Sequence, residues 1–234
     1  MNAAIETAKE KVTELGKKML TAGLVAGTWG NISALVREAG VVVITPSGMD
    51  YTRLQAADMV VLDLNGRVID GHRRPSSEAP LHLAIYRARE DVAGIVHTHS
   101  EVASAFAVVR QPIQPVVEDA AMLVGGAVEV ALYALPGTDE LAQNVVAALG
   151  QRYAVLMANH GLVGVGRSVE EAFTVCQVVE KCARIYAWSK TIGQPVVIPE
   201  QDVLLLGRAY RNAYGQPSEQ RVPFRGSVGE MNFE

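Results

Sequence analysis

Residues 59–70 read Met-Val-Val-Leu-Asp-Leu-Asn-Gly-Arg-Val-Ile-Asp. Two apolar runs, Met59 to Leu64 and Val68 to Ile69, flank Asn65-Gly66. Asn-Gly between apolar runs is a strong signal for a two-residue turn joining antiparallel strands, because both residues tolerate positive φ. The segment therefore reads as a β-hairpin. Just upstream, residues 31–46 read as two further strands around Glu38-Ala39-Gly40, with Val41-Val42-Val43-Ile44 as a buried run. Before them, Ile5, Ala8, Val12, Leu15 and Met19 recur at spacings of three and four, which predicts a helix over residues 3–23.

Downstream, helical and strand patterns alternate. A helix is predicted from Glu78 to Arg89, with Ser77 as its N-cap and Pro80 in its first turn. Val92 to His97 reads as a strand, and Glu101 to Val109 as a helix. Val116 to Tyr133 is apolar but broken by Gly125-Gly126, and reads as strand, short helix, strand. Thr138 to Leu149 is helical, Tyr153–Ala158 and Leu162–Val165 are short strands, and Ser168–Lys190 is the longest helix. A last helix spans about Asp202 to Tyr214, and residues 216–234 read as a tail. Hairpin-connected strands interleaved with helices predict an α/β fold whose sheet is mostly antiparallel. Nothing divides residues 1–234 into separate domains.

The composition agrees. Of 234 residues, 49% are hydrophobic and 20% charged, enough apolar material for a buried core. The net charge of −4 argues against a nucleic-acid partner, which would favour a basic excess. Charges interrupt every apolar run before it could span a membrane, and Glu6, Lys9, Glu10 and Lys11 argue against a secretory signal. Cys176 and Cys182 lie six apart on one predicted helix and cannot bridge each other. A reducing, cytoplasmic location is the expectation.

Five histidines are present: His72, His82, His97, His99 and His160. His97-Thr98-His99 ends a predicted strand, and alternation places both imidazoles on one face, close enough to share a metal. His160 follows another short strand, in Asn159-His160-Gly161. Three imidazoles converging from strand ends would match a zinc site with an open fourth position. His82 is either an alternative third ligand or a buried, hydrogen-bonded histidine, and the second reading is preferred. Glu78 shares a helical face with His82 and is either a first-turn acid favoured by the helix dipole or a site residue. Three polar clusters punctuate the apolar segments: Thr28-Trp29-Gly30-Asn31, Pro46-Ser47-Gly48 and Pro75-Ser76-Ser77. Together they could cradle a phosphate without lysine. The six lysines, at 9, 11, 17, 18, 181 and 190, all lie outside residues 28–160, so a lysine imine is not expected. Neither a GxxxxGK loop nor a GxSxG elbow occurs.

Taken together, Gly27-Thr-Trp-Gly-Asn-Ile-Ser33, Ile44-Thr-Pro-Ser-Gly48, Arg74-Pro-Ser-Ser-Glu78, Ile95-Val-His-Thr-His-Ser100 and Asn159-His-Gly161 resemble the class II aldolase/adducin family. The resemblance runs from Gly23 to about Gly215. It implies an α/β/α fold and a homotetramer with active sites between subunits. It implies a divalent metal, usually Zn2+ with Co2+ or Mn2+ as alternatives, on His97, His99 and His160, with Glu78 as catalytic acid/base and further ligand. It places a phosphate at Gly30, Asn31, Ser47, Gly48, Ser76 and Ser77, with Thr28 beside them. It offers Tyr214 or Asp119 as a second proton-transfer residue.

The chemistry implied is cleavage of a ketose 1-phosphate, such as L-fuculose 1-phosphate or a 5-deoxy or 5-methylthio ribulose 1-phosphate. The products would be dihydroxyacetone phosphate and an aldehyde, formed through a metal-stabilised enediolate. The alternatives within the family are an L-ribulose-5-phosphate 4-epimerase, whose position matching Glu78 is aspartate, and a sugar-phosphate dehydratase or decarboxylase. A non-catalytic scaffold, as in the adducin branch, would be expected to have lost the three histidines.

Overall fold

The computed structural model describes residues 2–213. Its elements are α1 (Asn2–Thr21), β1 (Asn31–Val36), β2 (Val41–Ile44), β3 (Val60–Asp63), β4 (Val68–Asp70), α2 (Ala79–Ala88), β5 (Gly94–Thr98), α3 (Glu101–Val108) and α4 (Glu118–Val124). These are followed by β6 (Val130–Ala131), α5 (Asp139–Leu149), β7 (Ala154–Met157), β8 (Gly161–Gly166), α6 (Val169–Ile192) and α7 (Glu200–Ala213). All eight strands join one sheet, in the order β4-β3-β2-β1-β5-β8-β7-β6. Every pairing is antiparallel except β6 with β7. The expected mostly antiparallel α/β architecture is therefore present.

Strand alternation sorts the side chains into two faces. On one face, α1 packs against β1 and β2, and α6 against β5 and β8. Glycine makes the second contact close. A Cβ at Gly94 of β5 would sit 2.3 Å from the Val169 backbone, and one at Gly164 of β8 would sit 2.6 Å from Cys176 Sγ. Gly94 pairs with Gly166 and Val96 with Gly164 in the β5–β8 register, so these small residues share the α6 face. Ile95, His97 and Val163 then point the other way. On that second face α2 packs against α5, and α5 against β6 and β7. Tyr86 of α2 reaches β1 there, its hydroxyl donating to the Ser33 carbonyl. Cys176 and Cys182 are buried free thiols on α6. No helix among the described residues is long and apolar enough to cross a membrane.

The 59–70 hairpin forms where expected, but its turn is not a two-residue one. Asp63 N–H donates to the Arg67 carbonyl and Gly66 N–H to the Asp63 carbonyl. Only Gly66 takes positive φ, at 88°. The Asp63 carboxylate accepts from Asn65 and Arg67 N–H, which favours a three-residue loop over the Asn-Gly turn. In the 116–133 segment the short helix forms as α4, but no strand precedes it, and the one bridge nearby joins Ile113 to Val128. α2 starts one residue late. Glu78, not Ser77, holds the N-cap position, and its side chain makes no capping bond. That leaves its carboxylate for other contacts.

Candidate active site

β1 and β5 are neighbours in antiparallel register, and Asn31 stands directly opposite His97. His99 lies just beyond β5, its N–H bonded to the Leu24 carbonyl. His160 closes the turn into β8, where Asn159 takes φ 55°, a left-handed conformation that asparagine tolerates. The next residue, Gly161, leaves the space. A Cβ there would meet the Thr98 carbonyl at 2.3 Å and the His97 ring at 3.1 Å. The three imidazoles converge, with one ligand atom from each lying within 4.8 Å of the others.

Glu78 enters the same cluster from the start of α2. Its Oε2 lies 3.3 Å from His97 Nε2, and its Oε1 lies 3.4 Å from His160 Nε2. His97 Nε2 and His99 Nε2 are 3.0 Å apart. His97 Nδ1–H donates to the Leu162 carbonyl at 3.0 Å, which leaves the Nε2 lone pair facing the cluster, the tautomer a metal requires. Glu78 Oε1 and His160 Nδ1 are buried with no hydrogen-bond partner. Three imidazoles and one carboxylate with an unsatisfied oxygen fit a divalent cation well.

The electrostatics favour uncharged His97 and His99 and an ionised Glu78. Burial lowers the pKa of His97 to about 4, and the nearby His160 and His99 add to the effect. His99 is lowered as well, by burial and by His160. Burial opposes ionisation of Glu78, but His97, His160 and the Asn31 amide outweigh it and hold the carboxyl below its usual value.

A hydrogen-bonded row stands behind Glu78. Asn31 Nδ2 donates to Glu78 Oε2 at 2.7 Å. Asn31 Oδ1 faces His82 Nε2 at 2.6 Å, and His82 Nδ1 faces Ser33 Oγ at 2.6 Å. Ser33 Oγ lies 2.8 Å from the Tyr86 hydroxyl. All four supporting residues are buried. His82 is thus a buried, hydrogen-bonded histidine, as preferred from the sequence, and not a member of the metal cluster. Ser33 and Tyr86 were not singled out from the sequence. Their one signal is polarity at inward-facing positions of an apolar strand and helix.

The three polar loops meet beside this cluster. Pro46 and Pro75 form an antiparallel bridge, flanked by Ser47 N–H to the Arg74 carbonyl (2.9 Å) and Ser76 N–H to the Thr45 carbonyl (3.0 Å). Thr45 in turn bonds Ile32 through backbone and hydroxyl. The Tyr51 hydroxyl holds the Gly30 carbonyl at 2.7 Å. Gly30 has φ 79°, and a Cβ there would lie 2.7 Å from the His97 carbonyl, so only glycine fits. Thr28, Ser47, Gly48 and Ser77 are exposed, whereas Asn31 and Ser76 are buried. Ser76 Oγ accepts from Glu78 N–H at 3.2 Å, while no capping bond engages the exposed Ser77 at the mouth of α2.

Two other candidates stand apart. Asp119, in the first turn of α4, is ion-paired with Lys181 of α6 and makes no ion pair or hydrogen bond to the three histidines. Tyr214 lies outside the described residues. Trp29, which the sequence offers only as a member of the Thr28-Trp29-Gly30-Asn31 cluster, stacks on His99 with centroids 5.8 Å apart.

Residues 10–187 match the family described as Class II Aldolase and Adducin N-terminal domain. The 5-deoxy-D-ribulose 1-phosphate aldolase of Bacillus thuringiensis serovar kurstaki is 41% identical over 212 residues, 91% of this chain and 99% of that protein. The 5-methylthioribulose-1-phosphate/5-deoxyribulose-1-phosphate aldolase of Rhodospirillum rubrum is 34% identical over 190 residues, covering 81% and 85%. A solved L-fuculose 1-phosphate aldolase superposes with a TM-score of 0.85 at 39% identity, covering 88% of this chain and 96% of that one. The chain belongs to the class II aldolase and adducin family, and it is an enzyme of the aldolase type, a lyase.

Proposed function

We propose that the protein is a divalent-metal-dependent aldolase that splits a ketose 1-phosphate between C3 and C4, releasing dihydroxyacetone phosphate and a small aldehyde. The substrates that fit are 5-deoxy- and 5-methylthio-ribulose 1-phosphate, with L-fuculose 1-phosphate as the third. The names of the relatives support this substrate class. The observation that carries the reading is the buried Glu78 carboxylate, set between His97 and His160 with Oε1 unpartnered.

His97, His99 and His160 would hold the cation, Zn2+ by the preference of an imidazole set, with Co2+ or Mn2+ as substitutes. When bound, it supplies Lewis acidity that withdraws electron density from the ketose carbonyl. Glu78 moves the proton at C3, delivering it after C3–C4 cleavage and removing it in the condensation direction. Asn31 keeps Oε2 occupied while this happens. Exposed Ser47, Gly48, Ser77 and Thr28, with Gly30, Asn31 and Ser76 behind them, hold the phosphate at the N-terminal end of α2. A cytoplasmic homotetramer belongs to the same reading. Tyr214, supplied across a subunit interface, would protonate the departing aldehyde oxygen. Asp119 would take that role only by giving up Lys181.

The test is NMR of dihydroxyacetone phosphate in D2O. Wild type should exchange one C3 proton stereospecifically without aldehyde present, and Glu78→Gln should lose exchange and cleavage while keeping its metal. A panel of ketose 1-phosphates then ranks the substrates. No exchange, together with interconversion of L-ribulose 5-phosphate and D-xylulose 5-phosphate, would transfer the protein to the epimerases.

A further inference from the structure

The row behind Glu78 has a direction. An asparagine amide presents an oxygen at one end and an NH2 at the other, nearly equal in size, so its hydrogen-bond partners alone decide which way it faces. An ionised Glu78 can only accept, so the end of Asn31 at 2.7 Å from Oε2 is the NH2. The other end, Oδ1, then needs a donor, and His82 Nε2 is the atom 2.6 Å away. A neutral His82 with its proton on Nε2 has a bare Nδ1, which needs a donor in turn, and the Ser33 hydroxyl is 2.6 Å away. Ser33 Oγ also lies 2.8 Å from the Tyr86 hydroxyl, whose own proton goes to the Ser33 carbonyl, so the Ser33 proton is left for His82. Every bond then runs the same way, from Ser33 through His82 and Asn31 to Glu78.

We infer that His82 is a positioning residue that sets the facing of Asn31, and so decides which oxygen of Glu78 is held and which is free to move a proton. Oε2 is the held atom and Oε1 the working atom. The opposite facing would put Asn31 Oδ1 against Glu78 Oε2, two acceptors in contact. It would require His82 to carry its proton on Nδ1 and Ser33 to turn its hydroxyl away. Complete burial of His82 and Ser33 denies water the chance to repair such a mismatch. No other described hydrogen bond reaches the side chain of Asn31. The row therefore has one way to satisfy all its groups while Glu78 is ionised.

This inference rests on Glu78 being the proton carrier, so its test has one arm that is independent of turnover. In 15N-histidine-labelled metal-loaded enzyme, NMR should show His82 neutral with its proton on Nε2. A proton on Nδ1, or an imidazolium, overturns the inference. In the second arm, His82→Leu should slow C3 proton exchange of dihydroxyacetone phosphate by roughly 10–100-fold, the range for outer partners of catalytic groups. Metal content and KM should stay near wild type. His82→Gln, whose amide N–H can still donate to Asn31, should recover part of the loss. Exchange by both variants at the wild-type rate overturns the inference, and so does equal loss in both with metal also gone, which marks His82 as a fold residue. Wild type that fails to exchange at all would remove the proposed activity, while the tautomer measurement would still decide the direction of the row.

Discussion

Asn31 and His97 are opposed residues in the β1–β5 ladder, and Glu78 bonds the first and lies 3.3 Å from the second. One strand pairing thus holds both the group that orients the carboxylate and an imidazole of the cluster. Neither can shift along the sheet without the other. Strand pairing is a firm support for such a pair, because the ladder bonds on both sides of β5 must break before its register changes.

The metal proposal predicts about one divalent ion per chain, removable by chelator, with activity lost and then restored by Zn2+. His97→Ala and His160→Ala should each abolish retention, as measured by elemental analysis of the purified proteins. His82→Leu should retain the ion. Full metal and rate in His160→Ala would show that the third ligand has been misassigned.

Ser77 is exposed at the start of α2 and makes no capping bond there, so its hydroxyl is available to an anion. Ser77→Ala should raise KM for the sugar phosphate with little change in kcat, a loss of roughly 1–3 kcal/mol for a bond to a charged group. The KM of an unphosphorylated ketose should not change. An equal effect on both substrates would remove Ser77 from the phosphate site.

Acid stability should depend on a triad remote from the cluster. The Arg89 guanidinium, with help from the Tyr153 hydroxyl, outweighs partial burial and holds the Asp91 carboxyl at about 2. Arg89 also donates to the Gly150 and Arg152 carbonyls, tying the end of α2 to the loop before β7. The unfolded pKa is about 3.9, so the stabilisation is complete above pH ~4 and disappears as pH falls towards 2. Asp91→Asn should cost about 1.5 kcal/mol at pH 7, the low end for a charged bond because Asp91 is partly exposed. The gap from wild type, read by urea unfolding at stepped pH, should close between pH 4 and 2. A gap that persists unchanged to pH 2 would contradict the assignment.

The fold was legible where the pattern is local. Val41 to Ile44, the two hairpins and the period of α1 and α6 all announce themselves within a few residues. The Asn65-Gly66 turn misled because the Asp63 side chain, two residues earlier, competes for the same N–H groups. The strand expected before α4 is missing although residues 116–117 are apolar, since that stretch finds no ladder partner. In the site, His97 and His99 could be read from alternation at a strand end, and His160 from its place after a strand. The row through Ser33, His82 and Asn31 could not, because its members lie about fifty residues apart and meet only once α2 covers β1. Asp119 could be placed on its helix, but its pairing with Lys181 depends on how α4 lies on α6.

Gly94 of β5 and Gly164 and Gly166 of β8 act as proof-reading for the centre of the sheet. They sit on one face of the strands and His97 on the other, in strict antiphase. A slip of one residue that brought Ile95 to the place of Gly94, or Val163 or Val165 to the place of Gly164, would push a branched side chain against α6, and a slip of β5 would also turn His97 away from Glu78. Such an arrangement cannot close over α6, so a mispaired chain is denied its longest helix as well as its histidines. Correct assembly of the catalytic face is thereby checked from behind, by contacts that never touch a substrate.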